Sequence, residues 1–227
     1  DLPPKIYTTE YIELTRKQRI LYKEIRQGIV DNLENILEIP NPLSCTVRLR
    51  QLTGGVFGDD NPKLERVKDM LEEITESGHK ALIFSQWEQV TSVYKEALKA
   101  YNPAYIVGAV DPENRQKEVD RFQNDPTCKV AIGTIGAMGT GLTMTAASYV
   151  FFVDKRYWDA ENKQAEDRAH RIGTTNTVNV VSLVATNTVD EGIEEMLRDN
   201  KALFDRVVEG KGSRVDVGEI LRKILQY

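Results

Sequence analysis

Apolar residues recur along this chain in two rhythms. From Asn61 onward there are short, unbroken apolar runs: KALIFSQW (80–87), AYIVG (104–108), KVAIGTI (129–135), YVFFVDK (149–155) and NVVSLVA (179–185). Between them lie stretches in which apolar positions return every three or four residues. Runs that are apolar on both faces predict strands of a sheet covered on both sides, and the periodic stretches predict the covering helices. Helices are expected over 62–77, with Asn61 as cap, Pro62 in the first turn and Gly78 as stop; over 88–101; from the Asp111-Pro112 cap to about Asn124; over QAEDRAHRIG (164–173); and over about 189–208. The expected fold class is therefore α/β, a parallel sheet with helices on both faces. Sheets of this kind take ligands at the carboxyl ends of their strands.

Residues 1–60 carry a different pattern. A helical period runs from Gln18 to about Leu37 and is broken by Pro40 and Pro42; VRLRQLTGG (47–55) then predicts a short helix stopped by Gly54 and Gly55. This region reads as an N-terminal helical extension and connector, 1–60, leading into an α/β lobe, 61–209. Residues 210–227 begin with GKGSR and read as a linker followed by a short terminal helix.

QAEDRAHRIG is the stretch with the sharpest chemistry. On a helix, Gln164, Arg168 and Arg171 share one face at spacings of four and three, beside a small apolar stripe of Ala165, Ala169 and Ile172. Asp159 is the expected N-cap and Gly173 the expected stop. One reading is a solvated face with an Asp167–Arg171 pair. The other is two guanidinium groups and an amide aimed at a polyphosphate. If the second holds, a phosphate cradle is needed. No G-x-x-x-x-G-K-[ST] loop occurs, and the Gly133, Gly136, Gly139, Gly141 cluster never spells G-x-G-x-x-G. The chain has arginines without a cradle, as expected of residues supplied in trans to a site on another domain.

Composition narrows the partners. Thirty basic and 35 acidic residues give a net charge of −5, so any nucleic-acid binding has to come from a local groove. Cys45 and Cys128 lie far apart, as do His79 and His170, which argues against a structural metal site, and no metal ligands are assigned. No apolar run approaches a membrane span and no stretch looks like a signal peptide, so no membrane partner is expected. The cysteine usage suggests a reducing, intracellular compartment. The cytoplasm of a bacterial or phage-like host is favoured over the nucleus of a eukaryote. A start at Asp1 fits an excised fragment of a longer protein.

Three stretches taken together, KALIFSQW, ENRQKEVDRF and GTIGAMGTGLTMTAASYVFFVDKRYWDAENKQAEDRAHRIG, resemble in order and spacing motifs IV to VI of superfamily 2 helicases, and in particular the second RecA-like lobe of Swi/Snf-type DNA translocases. LPPK and LTRKQRILYKEI resemble the segment entering that lobe, VRLRQL the helix that follows it, and TVDEGIEEMLRDNKALF the closing helix. The sequence departs from the family at Thr174, where glutamine is usual, and at Gly141-Leu142-Thr143-Met144-Thr145, where Gly-Leu-Asn-Leu-Thr is common.

The resemblance implies one half of a two-lobe motor that hydrolyses ATP while tracking along double-stranded DNA. It implies that Arg168 and Arg171 act catalytically on the nucleotide, that Gln164 and Asp167 orient phosphates and arginines, and that ATP and Mg2+ are held mainly by an absent N-terminal RecA-like lobe, the fragment alone being inactive. Gly139 and Gly141 read either as an ordinary turn or as a close approach to the nucleotide. Ser85, Gln86 and Thr134, at strand ends, read either as local caps or as contacts to DNA phosphates, and Arg115 as a surface arginine or a phosphate contact. Trp158 is expected in the core. Two rival functions are a non-catalytic interaction module of the same fold and an RNA helicase lobe.

Overall fold

The structure, a computed structural model, describes residues 2–38, 41–138, 141–172, 174, 176–208 and 217–227. In chain order the elements are β1 (Lys5–Ile12), α1 (Arg16–Asp31), α2 (Leu33–Glu38), α3 (Val47–Thr53), α4 (Pro62–Glu76), β2 (Lys80–Ser85), α5 (Glu88–Ala97), β3 (Ala104–Ile106), α6 (Pro112–Asn124), β4 (Val130–Thr134), α7 (Ile135–Met138), β5 (Ala147–Phe152), α8 (Asp159–Glu166), β6 (Val178–Ala185), α9 (Val189–Val208) and α10 (Val217–Leu225). Short 3-10 turns occupy Pro42–Thr46 and Lys99–Tyr101.

The six strands form one sheet in the order β1-β6-β5-β2-β4-β3. The pairs β6/β5, β5/β2, β2/β4 and β4/β3 are parallel. At β1, Val178 N donates to Pro4 O and Thr186 N to Ile12 O, so the partners climb in step and this pair is parallel too. This is a RecA-like α/β fold. The chain divides into two compact units, Asp1–Glu10 with Lys63–Leu183 and Tyr11–Pro62 with Val184–Tyr227. The expected boundaries, 1–60, 61–209 and 210–227, are contiguous in sequence and these units are not.

The first unit is organised by its apolar strands. Leu82, Phe84, Ala131, Val150, Phe152 and Val180 are buried with Ile106 of β3 and with Val119 and Phe122 of α6. Phe84 and Phe152 stack with ring centroids 5.4 Å apart. Each of the larger side chains among these contributes about 1.5–3 kcal/mol on burial. The expected cap of α6 forms: the Asp111 carboxylate accepts from Asn114 N at 3.0 Å. Gly133 shows why no larger residue stands inside β4. A Cβ there would lie 2.1 Å from Ile106 O and 2.4 Å from Met138 Sδ. Backbone and thioether cannot both give way, so Gly133→Ala is expected to cost about 1–3 kcal/mol as an overpacked core. A lower urea midpoint at unchanged slope would show it; an unchanged midpoint would refute it.

In the second unit, α1 opens on a complete capping box between Thr15 and Gln18. The buried Tyr22 hydroxyl accepts from Val189 N at 2.7 Å, and Asp190 accepts from Thr53 Oγ1 and from Ala185 N, each at 3.1 Å. Gly192 sits where a Cβ would lie 2.5 Å from Ile224 Cα, which lets α10 pack closely on α9.

Three local expectations are corrected. Residues 5–12, read as part of a helical extension, form the edge strand β1. The helix expected over QAEDRAHRIG ends at Glu166, with Asp167 as its C-cap, and its N-cap is Trp158 rather than Asp159. Trp158 is 60% exposed and not in the core. The expected linker GKGSR lies outside the described residues, as does the Gly173 stop.

Candidate functional site

Helix α8 returns from the carboxyl end of β5 toward the amino end of β6. The chain that follows it therefore reaches the amino ends of the strands. Here Arg168 and Arg171 lie on a turn, not on a helical face. Met144 N, just before β5, donates to Arg168 O at 2.9 Å. Arg168 is only 7% exposed; its Nε donates to Gln164 O at 3.1 Å and its Nη1 to Leu142 O at 3.3 Å. Arg171 is exposed, and its Nη1 donates to Thr143 Oγ1 at 3.1 Å. Thr174, the residue that departs from the family pattern, closes the turn. Its hydroxyl donates to Ala169 O at 2.8 Å and accepts from Arg171 N at 3.2 Å.

The turn changes three expectations. Ile172 does not join Ala165 and Ala169 in a packing stripe; those two are buried and Ile172 is 96% exposed, because the chain has left the helix before reaching it. Asp167 does not pair with Arg171 but accepts from Lys5 Nζ at 2.6 Å. Arg168 is a buried residue, not one of a solvated stripe. The expected grouping still forms, because Gln164, Asp167, Arg168, Arg171 and Gly141 lie on the end of α8 and on the two segments that meet before β5. Gly141 has φ +71°, which favours glycine, with nothing within 4 Å of where a Cβ would stand. Gly139 lies outside the described residues.

Burial, and then the charge of Arg171, push the Arg168 guanidinium below its ordinary value, with Asp167 acting in the opposite sense. Two cations are thus held near one another while the adjacent carboxylate is engaged by a lysine. Such an arrangement suits an anion and is repulsive without one. Its donors match phosphate oxygens. They do not match magnesium, which needs oxygen ligands.

The other predicted residues gather at the opposite ends of the strands, across the six residues of β5 (about 20 Å at 3.3 Å per residue). Ser85 ends β2 and stands opposite Thr134 at the end of β4. Ser85 is buried, and its hydroxyl donates to Asp154 Oδ2 and accepts from Trp87 N. Of its two expected roles, the local cap is the one the geometry shows; the hydroxyl is not open to a DNA phosphate. Gln86 N donates to Asp154 Oδ1 at 2.9 Å, and its side chain is half-buried. Thr134 is half-buried. Arg115, after β3, is half-buried and donates from Nε to Val110 O at 2.7 Å.

Sequence reasoning missed Asp154 and Asn162. Asp154, two residues past β5, is buried and ties the β2 turn to the β5 turn. A lone aspartate closing an apolar strand is the available signal. Asn162 accepts from Arg156 N and donates to Arg156 O, both at 2.9 Å, and so fixes the loop that starts α8. Nothing in the local pattern marks it.

Comparison with known proteins agrees with this architecture. Residues 62–173 match the family model described as helicase conserved C-terminal domain. The protein named "Uncharacterized ATP-dependent helicase" in Mycoplasma pneumoniae is 28% identical over 92% of this chain and 21% of its own length. "Helicase SWR1" of Candida glabrata is 32% identical over 92% of this chain and 15% of its own. The chain thus spans about a fifth or less of the length of these relatives. Among solved structures, the Sulfolobus solfataricus SWI2/SNF2 ATPase core in complex with dsDNA superposes with TM-score 0.76 at 26% identity, covering 99% of this chain and 50% of that one. The C-terminal part of the Fun30 ATPase domain superposes with TM-score 0.75 over 99% of this chain and 97% of that one, at 19% identity, a likeness of fold. The fold defines a RecA-like lobe. Residues 62–173 belong to the helicase C-terminal domain family, and the chain is similar to the SWI2/SNF2 type of ATPase core.

Proposed function

We propose that this chain is the C-terminal ATPase lobe of an ATP-dependent double-stranded DNA translocase, and that it completes a nucleotide site whose P-loop lies on another RecA-like lobe. The observation that carries the proposal is the arginine turn: Arg168 and Arg171 are held side by side, with Arg171 exposed, on a chain whose sequence contains no P-loop. In this reading ATP supplies the phosphate that the two guanidinium groups attract. Arg171 reaches toward it, and Arg168, bound to Gln164 O and Leu142 O, holds the turn and adds charge. Gln164, Asp167 and Gly141 border the same place. Magnesium belongs with the lobe that carries the cradle.

DNA is assigned to the other ends of the strands. Gln86, Thr134 and Arg115 line the carboxyl ends of β2, β4 and β3, where side chains and turn N–H groups can hold phosphates without reading sequence. Ser85 and Asp154 shape that surface from beneath. The separation of the two groups supports a motor in which nucleotide-driven closure at one end of the lobe alters the grip on DNA at the other. The dsDNA complex of the Sulfolobus solfataricus relative supports the choice of duplex.

The chain by itself is expected to show no ATP turnover and to bind duplex DNA weakly, without sequence preference. Its log affinity should fall with log salt by about 0.9 per phosphate neutralised. Binding titrations at several salt concentrations, with duplex DNA, single strands and RNA compared, check this. Salt-independent or RNA-selective binding would sink the assignment.

A further inference from the structure

The strand that leads into the sheet is fastened to the arginine turn. Lys5 Nζ donates to Glu166 Oε2 at 3.2 Å and to Asp167 Oδ1 at 2.6 Å. The Tyr7 hydroxyl donates to the same Glu166 oxygen at 2.9 Å. His170 Nε2 donates to Pro3 O at 2.5 Å, and Val178 N to Pro4 O at 3.2 Å. The ion pair is sheltered: side-chain exposure is 15% for Lys5 and 5% for Glu166. Glu166, Asp167 and His170 bracket Arg168 in the chain. The residues before and after that arginine are therefore held by β1 and the residues that lead into it.

These contacts have the character of positioning rather than of general stability. β1 is an edge strand and most of its side chains are exposed, so it adds little core. Its polar contacts instead converge on one turn. Burial, and then the Glu166 carboxylate, raise the Tyr7 phenol above its ordinary value, so it remains a donor across the working pH range. After Glu166 the chain continues in tight turns, with Arg168 N donating to Ala165 O and Ala169 N to Glu166 O at 3.1 Å and His170 N to Glu166 O at 3.3 Å, and the contacts from Lys5, Tyr7 and Pro3 fix where this local structure stands.

We infer that Lys5, assisted by Tyr7 and the Pro3 carbonyl, is a positioning residue for the arginine pair, setting where Arg168 and Arg171 stand relative to the Leu142–Thr143 segment. The inference rests on the proposed role of that pair toward phosphate. Lys5 touches no reacting atom in this scheme; it acts through the turn. Misplacement of a catalytic group by about 1 Å can cost up to roughly a hundredfold in rate. Loss of the Lys5 contacts lowers turnover without removing the groups that bind ATP.

The test uses the full-length protein. Lys5→Met is expected to lower the kcat of DNA-stimulated ATP hydrolysis by roughly ten- to a hundredfold with KM for ATP close to wild type; Tm falls as well, because the sheltered Glu166 carboxylate loses its lysine, so the kcat-against-KM split carries the test. Lys5→Arg, which keeps both ion pairs, should restore most of the rate. Tyr7→Phe, a milder variant that removes one hydrogen bond, should lie between. Hydrogen exchange of the peptide spanning 166–176 should rise in Lys5→Met and return toward wild type in Lys5→Arg. In an Arg171→Ala background, Lys5→Met should add much less loss than in the wild type, because only Arg168 remains to be misplaced. Arg171→Ala that collapses turnover beside Lys5→Met with wild-type kcat and exchange overturns the positioning role and leaves the arginine reading intact. Arg171→Ala with wild-type turnover overturns the arginine reading itself. A parallel fall in rate and Tm for Lys5→Met, not relieved by Lys5→Arg, reduces the contact to ordinary stability and also overturns the inference.

Discussion

Arg171→Ala in the full-length protein is expected to reduce DNA-stimulated ATP hydrolysis by about 10³- to 10⁵-fold while leaving the fold intact. That is the range for an arginine supplied across a domain boundary to the charge that develops in phosphoryl transfer, or roughly 4–7 kcal/mol of barrier. Stability should hardly move. Arg171 is exposed, and among the described residues its guanidinium makes one hydrogen bond, to the Thr143 hydroxyl. Removing it leaves no cavity and opens no buried donor, so a change of about 0.5 kcal/mol is expected. Lysine should not rescue the rate, because a point charge lacks the planar fork that meets two phosphate oxygens. ATP affinity should survive in part if the cradle lies elsewhere. Steady-state ATPase measured beside thermal unfolding and nucleotide affinity checks all of this, and near-wild-type turnover would return the turn to an ordinary charged surface.

Arg168→Ala should behave differently, with a loss of stability as well as of rate. Its guanidinium is buried and bonded to Gln164 O at 3.1 Å and Leu142 O at 3.3 Å. Alanine leaves the partner of a charged donor unpaired inside the turn, which costs about 1–3 kcal/mol. The sequence pattern alone would have put the cost near that of a surface change. Because the Leu142–Thr143 segment and the arginine turn meet through this residue, Arg171 should also lose its station. The rate should therefore fall in both variants, whereas the urea midpoint should fall only in Arg168→Ala. Equal midpoints for the two would mean that the Arg168 side chain is not the brace described.

The two variants show how far the sequence could be read. Periodicity placed five of the six strands and most of the covering helices, because a parallel sheet covered on both faces writes unbroken apolar runs that little else produces. β1 escaped because an edge strand with solvent on most of its positions has no such run. The structure brings Gln164, Asp167, Arg168, Arg171 and Gly141 to the end of α8 and the segment before β5, but not on one helical face, because the helix stops at Glu166.

The class of the fold and its family are legible in the sequence alone, since these follow from local periodicity and from residues in fixed order. Where each group stands is set by the packing of the strands. It put the arginines at the amino ends of the strands and Gln86, Thr134 and Arg115 at the carboxyl ends, buried Arg168, exposed Ile172, spent the Ser85 hydroxyl on Asp154 and tied Lys5 to Glu166 and Asp167. Most of these depend on partners far away along the chain, such as Leu142 for Arg168 and Asp154 for Ser85. Hydrogen bonds and ion pairs of that kind are set by which strands lie side by side, and a linear pattern carries no term for it.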